Sequence, residues 1–280
     1  MINQTTTINV RKNNGDLVPF DIEKLRGGLR HSGAGDHEIN RVIEKLEDEL
    51  YDGITTKKIY SIAYRILYKH SHRTAGRYRL KKALQQMGPT GYPFEHFVSR
   101  LIESQGYKVE TGVQVLGRCV THEVDVIGRK EGKILMAECK FHRSESAKND
   151  VKISLYVHSR MQDIEAKLKA DNELENAVFE PLLVTNTRFT EDAEQYGICS
   201  GMHLISWDFP FGKSLKDMID KSGFHPITTM KSLTQKEKEE LMQEGIVLCS
   251  EVGAAPQCLD KFHIPDSRRK RIIREAKAIV

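Results

Sequence analysis

The sequence predicts an α/β chain, α+β overall. A mostly helical first domain with a small β-hairpin is followed by a mixed sheet flanked by helices and then a helical C-terminal appendix. Three observations carry this expectation. Two short alternating runs meet at an Asn-Asn-Gly turn and lead into stretches at helical spacing. A break at Gly88-Pro89-Thr90-Gly91 interrupts the chain. Beyond it, helical and strand-like runs follow one another as α-β-β-β-α-β-α-β, the order of a sheet covered by helices. Domains are expected at 1–88, 89–222 and 223–280.

Within the first domain, Ile8 to Lys12 and Leu17 to Phe20 read as the strands of the hairpin, after a loose start at residues 1–7. Asp21 can cap a helix beginning IEKLRGGLR. Ile39, Val42, Ile43 and Leu46 place a second helix over about 38–50, and Tyr51 to Ile54 reads as a connection. Thr55 or Thr56 can cap a third helix, with Ile59, Ile62, Ala63, Ile66 and Leu67 as its apolar stripe. A basic helix over about 74–86 closes the domain.

After the break, Phe94, Phe97, Val98, Leu101 and Ile102 face one side of a helix over 94–105. Strand pieces follow at 107–111 and 113–115. Thr121 to Phe141, THEVDVIGRKEGKILMAECKF, is the stretch around which the second domain is organised. It reads as two strands joined by a turn at Arg129 to Lys133. Strand alternation puts Glu138 and Lys140 on one face with Cys139 turned away, and pairing as a hairpin lets Asp125 reach the same edge. Two carboxylates and an ammonium in one place suit a divalent cation and a water, and make a poor core. A loop over 141–150, a long helix over 151–169, a buried strand over 178–185, a short helix over 191–197 and a strand over 202–207 complete the sheet. Leu215, Met218 and Ile219 suggest one more helix.

Composition sets the outer limits. With 280 residues the chain can bury more than one core, and 29% charged with 39% hydrophobic residues argues against disorder. No apolar run approaches the roughly 20 residues needed to span a bilayer, and no signal-peptide block opens the chain. A cytoplasmic protein with no membrane partner is therefore expected. The formal charge of +4 permits nucleic-acid binding without requiring it. The five cysteines form no CxxC, which argues against a zinc knuckle or disulfide framework and leaves them as buried free thiols. No GxxxxGK[ST] loop is present, which disfavours an ATPase or kinase.

VRKNNG, FDIEKL, YDGITTKKI and AGRYRLKKAL, in that order, resemble the ATP-cone, a regulatory nucleotide-binding module. The resemblance implies ATP or dATP as regulatory ligand. It places Val10 and Lys12 along the nucleotide, Lys12 and Lys24 near its phosphates, Leu25 near the base, Thr56 as a hydroxyl donor and Lys81 as added positive charge. The turn reads Lys12-Asn13-Asn14-Gly15 where the family has Lys-Arg-Asp-Gly, and Tyr60 stands where a histidine is common.

The helix with Glu95, the strand pair with Asp125, the Glu138-Cys139-Lys140 element and LLVTNTRFTEDAEQYGI together resemble the PD-(D/E)xK nucleases, more narrowly the Mrr-like restriction endonucleases, over about 92–208. The resemblance implies a restriction-endonuclease-like mixed sheet and hydrolysis of DNA phosphodiester bonds. Its site would comprise Asp125, Glu138, Lys140 and Glu95. Mg²⁺ or Mn²⁺ would be held by Asp125, Glu138 and the backbone carbonyl of Cys139, with Glu95 reached through water.

Around this set, His122, Glu123, His142 and Arg143 are candidates for the ion or the DNA. Lys148 and Lys152 fit backbone contacts, Tyr156 and Arg160 can face the cleft, and Gln162 and Asp163 read as surface. Two strands to be cut suggest a homo-oligomer, a dimer or larger. In the appendix, Thr234 with Glu237 forms a capping box, Gly245-Ile246 reverses the chain, and a basic helix follows from about Ser267. This order faintly resembles a helix-hairpin-helix unit that contacts DNA; a helical appendix that packs against the nuclease or a neighbouring subunit is expected at least as much. The leading expectation is a nucleotide-regulated, metal-dependent DNA endonuclease in defence or repair; the alternative is a non-catalytic, nucleotide-responsive DNA-binding regulator.

Overall fold

A computed structural model describes residues 8–12, 15–175 and 177–279. The expected loose start at 1–7 and the turn residues Asn13 and Asn14 lie outside the described residues. The chain divides into two compact units, one with the residues up to Leu80 and from Lys277 onward, the other with Lys81–Ala276. The division between these units falls inside a helix. Gly88–Gly91 is a turn within the second unit, where Pro93 sits in the first turn of the next helix, a place that suits its missing N–H.

In the first unit, β1 (Asn9–Arg11) and β2 (Leu17–Pro19) pair antiparallel, with Val10 opposite Val18. A third strand, β3 (Ile54–Thr55), joins β1 in parallel where a connection was expected. Two residues are too few to show alternation, and full burial of Ile54 holds them in place. Asp21 caps α1 (Ile22–His31) by accepting from the N–H groups of Glu23 and Lys24. α2 spans Asp36–Glu47, two residues earlier than its apolar pattern suggests, because Glu38 reaches back to the Gly35 N–H. Thr55, and not Thr56, caps α3 (Thr56–His70). Leu29, Ile39, Val42, Ile62 and Leu67 form the centre of this unit's core. α4 (His72–Gln85) contains the unit boundary.

The second unit is built on a five-stranded mixed sheet. Its strands are β4 (Lys108–Leu116), β5 (Thr121–Lys130), β6 (Lys133–Lys140), β8 (Val178–Thr185) and β10 (His203–Ile205), in the order β10-β8-β6-β5-β4. β4, β5 and β6 run antiparallel, and β8 and β10 add in parallel to β6. The two pieces expected at 107–115 are one strand, continuous through Gly112 at φ 62°. Residues expected as loop include β7 (Lys148–Asn149), which pairs with β9 (Arg188–Phe189).

α6 (Val151–Ala170) and α7 (Glu191–Cys199) follow β7 and β9 in the chain. Val157, Met161, Ile164 and Leu168 of α6 pack with Met136, Leu183 and Phe189. Residues 135 and 182, turned to the other face by alternation, line a cavity of about 890 Å³ together with Leu101 and Ile102 of α5 (Tyr92–Glu103). α8 (Leu215–Ser222) borders the same cavity through Met218.

The C-terminal helices α9 (Gln235–Gln243), α10 (Cys249–Ala254) and α11 (Asp266–Ile279) belong largely to this unit. Glu275, 3% exposed, accepts from the N–H groups of Lys231 and Ser232 at 2.8 Å each. Arg268 donates to Glu237, and Arg269 to the Pro256 carbonyl. The expected DNA-gripping turn is not free. Gly245 is buried, and a Cβ there would lie 3.5 Å from the His96 ring on α5. α5 is tied to this region again by Arg100, which donates to Glu251 at 2.8 Å.

Candidate active site

The β5–β6 hairpin pairs Val126 with Ala137 and Ile127 with Met136, so Asp125 and Glu138 stand one step beyond the first of these pairs. Asp125 Oδ2 accepts the backbone N–H of Cys139 at 2.7 Å. Glu138, 4% exposed, accepts from Lys140 Nζ at 2.7 Å on one carboxylate oxygen and from Arg160 Nη1 at 2.7 Å on the other. The same guanidinium also donates to the Glu123 carbonyl and lies over the Tyr156 ring, 5.4 Å from its centroid. Arg160 comes from α6, so the helix after the hairpin closes the site.

The charges show how tightly these groups converge. Burial pushes the Asp125 carboxyl up to about 6, helped by Glu138 and opposed by the Cys139 N–H, Lys140 and Arg160. Burial pushes Glu95 of α5 up to about 7, and the carboxylates of Asp125, Glu123 and Glu138 push in the same direction. Glu95 therefore feels all three acids of the hairpin, though it is far from them in sequence. Cys139 is buried, and loss of solvent lifts its thiol well above the ordinary range. It is packing beneath the site.

A polar network fixes the end of β6. Thr185 of β8, fully buried, donates to the Lys140 carbonyl at 2.7 Å. Asn149 of β7 donates to the Thr185 hydroxyl at 3.0 Å and meets His142 Nε2 at 2.9 Å. Asn186 accepts the His142 N–H at 2.8 Å and donates to the His142 carbonyl at 2.7 Å. Buried polar groups bonded in this way cost little and define one geometry. The network explains why polar Thr185 and Asn186 follow the buried apolar run at 182–184.

The donors fit a hard cation. Aspartate, glutamate and carbonyl oxygens suit Mg²⁺ or Mn²⁺, and Asp125 and Glu95 are raised mainly by burial and then by the neighbouring carboxylates. Among the described residues, however, no group of three His, Cys, Asp or Glu side chains is close enough to hold an ion as it stands. Both Glu138 oxygens are engaged by cationic side chains, so an ion at Glu138 would meet their positive charge.

Several neighbours differ from expectation. His122 is turned to Asp163 of α6, Nε2 to Oδ2 at 2.8 Å, and not to the site. Asp163 is no surface residue: it also accepts from the Cys119 N–H at 2.9 Å, which pins the loop before β5 to α6. His142 serves the network just described. Glu123 is exposed and contributes its charge to Glu95 and its carbonyl to Arg160. Arg143, Lys148 and Lys152 are exposed. Cys119 and Cys199 are also exposed, against the expectation of burial, because they lie in a loop and at a helix end.

In the first unit, Val10 (5% exposed) and Leu25 (9%) belong to the core. Lys12 is exposed, and the Lys24 ammonium, 85% exposed, stands 3.7 Å from Asp21. Tyr60 donates to the Tyr78 carbonyl at 3.1 Å and stacks on its ring at 4.8 Å. Lys81, in the second unit, lies 6.0 Å from the Trp207 ring centroid.

Comparison with known proteins gives these units their families. The ATP cone domain profile matches residues 8–86, the restriction endonuclease (Mrr) profile residues 84–208, and the AF1548-like C-terminal profile residues 225–280. The crystal structure of protein of unknown function AF1548 is 30% identical, covers 67% of this chain and 97% of its own, and superposes with a TM-score of 0.56. The chain belongs to the AF1548-like family. An uncharacterized protein of Archaeoglobus fulgidus is 29% identical over 184 residues, 65% of this chain and 99% of that protein. Similarity to the MspJI restriction endonuclease in complex with a 27-mer oligonucleotide falls to 15% identity and a TM-score of 0.38, too low to compare sites. This AF1548-like chain thus joins an ATP cone to a restriction endonuclease domain. No described helix is long and apolar enough to cross a membrane.

Proposed function

We propose that the chain is a divalent-metal-dependent DNA endonuclease regulated by ATP or dATP, acting as a homo-oligomer in defence or repair. The observation that carries this reading is the meeting of Asp125, Glu138 and Lys140 on one hairpin, with Glu95 near enough to feel their charge. Mg²⁺ or Mn²⁺ supplies charge for the transition state and acidifies water. Asp125, Glu138 and the Cys139 carbonyl are the groups that would hold it. Lys140 offers N–H donors to a phosphate oxygen or to the attacking water. Glu95 would reach the ion through water, and its carboxyl, raised to about 7 mainly by burial, would suit proton exchange with that water.

In the ATP cone, Lys12, Lys24 and the start of α3 at Thr56 are the proposed phosphate contacts, with Val10 and Leu25 behind them. Lys81 is proposed as a further contact. Nucleotide would regulate by binding one assembly state better than another.

Plasmid nicking with Mg²⁺ or Mn²⁺, comparing the intact protein with Asp125→Ala and Lys140→Ala, tests the centre. Cleavage by the intact protein alone is expected; equal cleavage by all three would overturn the assignment. The second reading, a nucleotide-responsive DNA binder without catalysis, is favoured by the double engagement of Glu138. It predicts DNA mobility shifts with no nicking in any of the three.

A further inference from the structure

Glu138 is held as though a cation were already present. It is nearly fully buried, and each carboxylate oxygen has its own positive partner at 2.7 Å. Lys140 is two residues away on the same strand, so its contact is local. Arg160 is different: it arrives from another element, its side chain is 13% exposed, and it has two other resting places in the Glu123 carbonyl and the Tyr156 ring. A guanidinium with alternative contacts can leave a carboxylate without being stranded.

Resting on the nuclease reading, we infer that Arg160 is a positioning residue that stands in for the divalent ion. Without the ion it keeps the Glu138 carboxylate oriented and faced by positive charge. The ion then competes with Arg160 for Glu138, because two positive charges drawn to the same oxygen repel each other. Charge at the hairpin is thereby balanced in both states.

The sign of one measurement separates this role from a structural one. If Arg160 only held Glu138 in place, its loss would weaken ion binding; if it competes with the ion, its loss strengthens binding. Mn²⁺ titration followed by electron paramagnetic resonance, without DNA, reads this directly. Arg160→Met is expected to bind Mn²⁺ at least about five-fold more tightly than the unmodified protein, because a like charge beside the ion is removed. Arg160→Lys keeps one donor and loses the fork, so it should fall between the two. If the methionine variant does not fold, the lysine variant decides the question: tighter binding supports the inference. Unchanged or weaker binding in a folded variant overturns it while leaving the nuclease reading standing. Absence of Mn²⁺ binding in every protein overturns both.

Discussion

The backbone N–H of Cys139 donates to the side chain of Asp125 across the β5–β6 hairpin, at 2.7 Å. The bond fixes one oxygen of a carboxyl that burial and Glu138 already drive towards the protonated state. The Cys139 N–H thus offsets part of the push that burial exerts on Asp125.

Asp125→Asn tests that tension. The amide keeps an acceptor for the Cys139 N–H and removes a charge from a crowded acidic site. Melting of the metal-free protein is expected at the same temperature or a few degrees higher, while plasmid nicking falls by roughly a thousand-fold, the loss of a group on which the reaction depends. A lower melting temperature would mean that the charge stabilises the fold.

Stability without metal should depend on pH with a defined sign. Asp125 rises from 3.8 to about 6 and Glu95 from 4.5 to about 7 on folding. Between about pH 4 and 7 the folded state holds more protons than the unfolded one. Stability therefore falls as pH rises through that window, and levels off above it. Melting by circular dichroism from pH 4.5 to 8, with chelator, is expected to show the decline. Glu95→Gln should flatten its upper part.

The polar network predicts a cost that apolar packing alone would not. Thr185→Val preserves the strand and the volume but leaves the Lys140 carbonyl and the Asn149 amide short of a partner. A loss of about 1–3 kcal/mol in urea denaturation is expected, the usual penalty for unsatisfied buried polar groups. Nicking should fall beyond what the stability change explains, because Lys140 is positioned through that carbonyl.

In the ATP cone, the exposure of Lys24 makes its ion pair with Asp21 energetically slight. Lys24→Ala should leave stability within about 0.5 kcal/mol, as exposed substitutions do. If the ammonium meets phosphate, calorimetric titration should show ATP binding weakened by roughly five- to ten-fold, the loss of one charged hydrogen bond. Unchanged binding would remove Lys24 from the nucleotide site.

Much of this was legible in the residues because periodicity and turn chemistry act locally. The hairpin of β5 and β6, the Asp21 and Thr234 caps and the span of β8 follow from alternation and capping alone. So did the meeting of Asp125 with Glu138 and Lys140, since one antiparallel turn fixes all three. What escaped was non-local. Asp163 looks like a solvated helix residue, and the Glu138 partner of Arg160 is invisible, until α6 is laid against the sheet. The short strands β3, β7 and β9 exist only because partners far away in sequence pair with them. The basic run at Arg268 looked like a DNA grip, and its first two arginines are taken up by Glu237 and by the Pro256 carbonyl.

The placement of the thiols has a practical consequence. Cys139 lies beneath the acidic pair, shielded and reluctant to ionise, while Cys119 and Cys199 are open to solvent. Thiolate-directed reagents would reach Cys199 first, because a hydrogen bond to Asp163 holds the exposed Cys119 thiol above its ordinary value. A spin label or fluorophore could then be carried on the periphery without rebuilding the centre, and an oxidant would mark the outside of the protein before it touched the chemistry within.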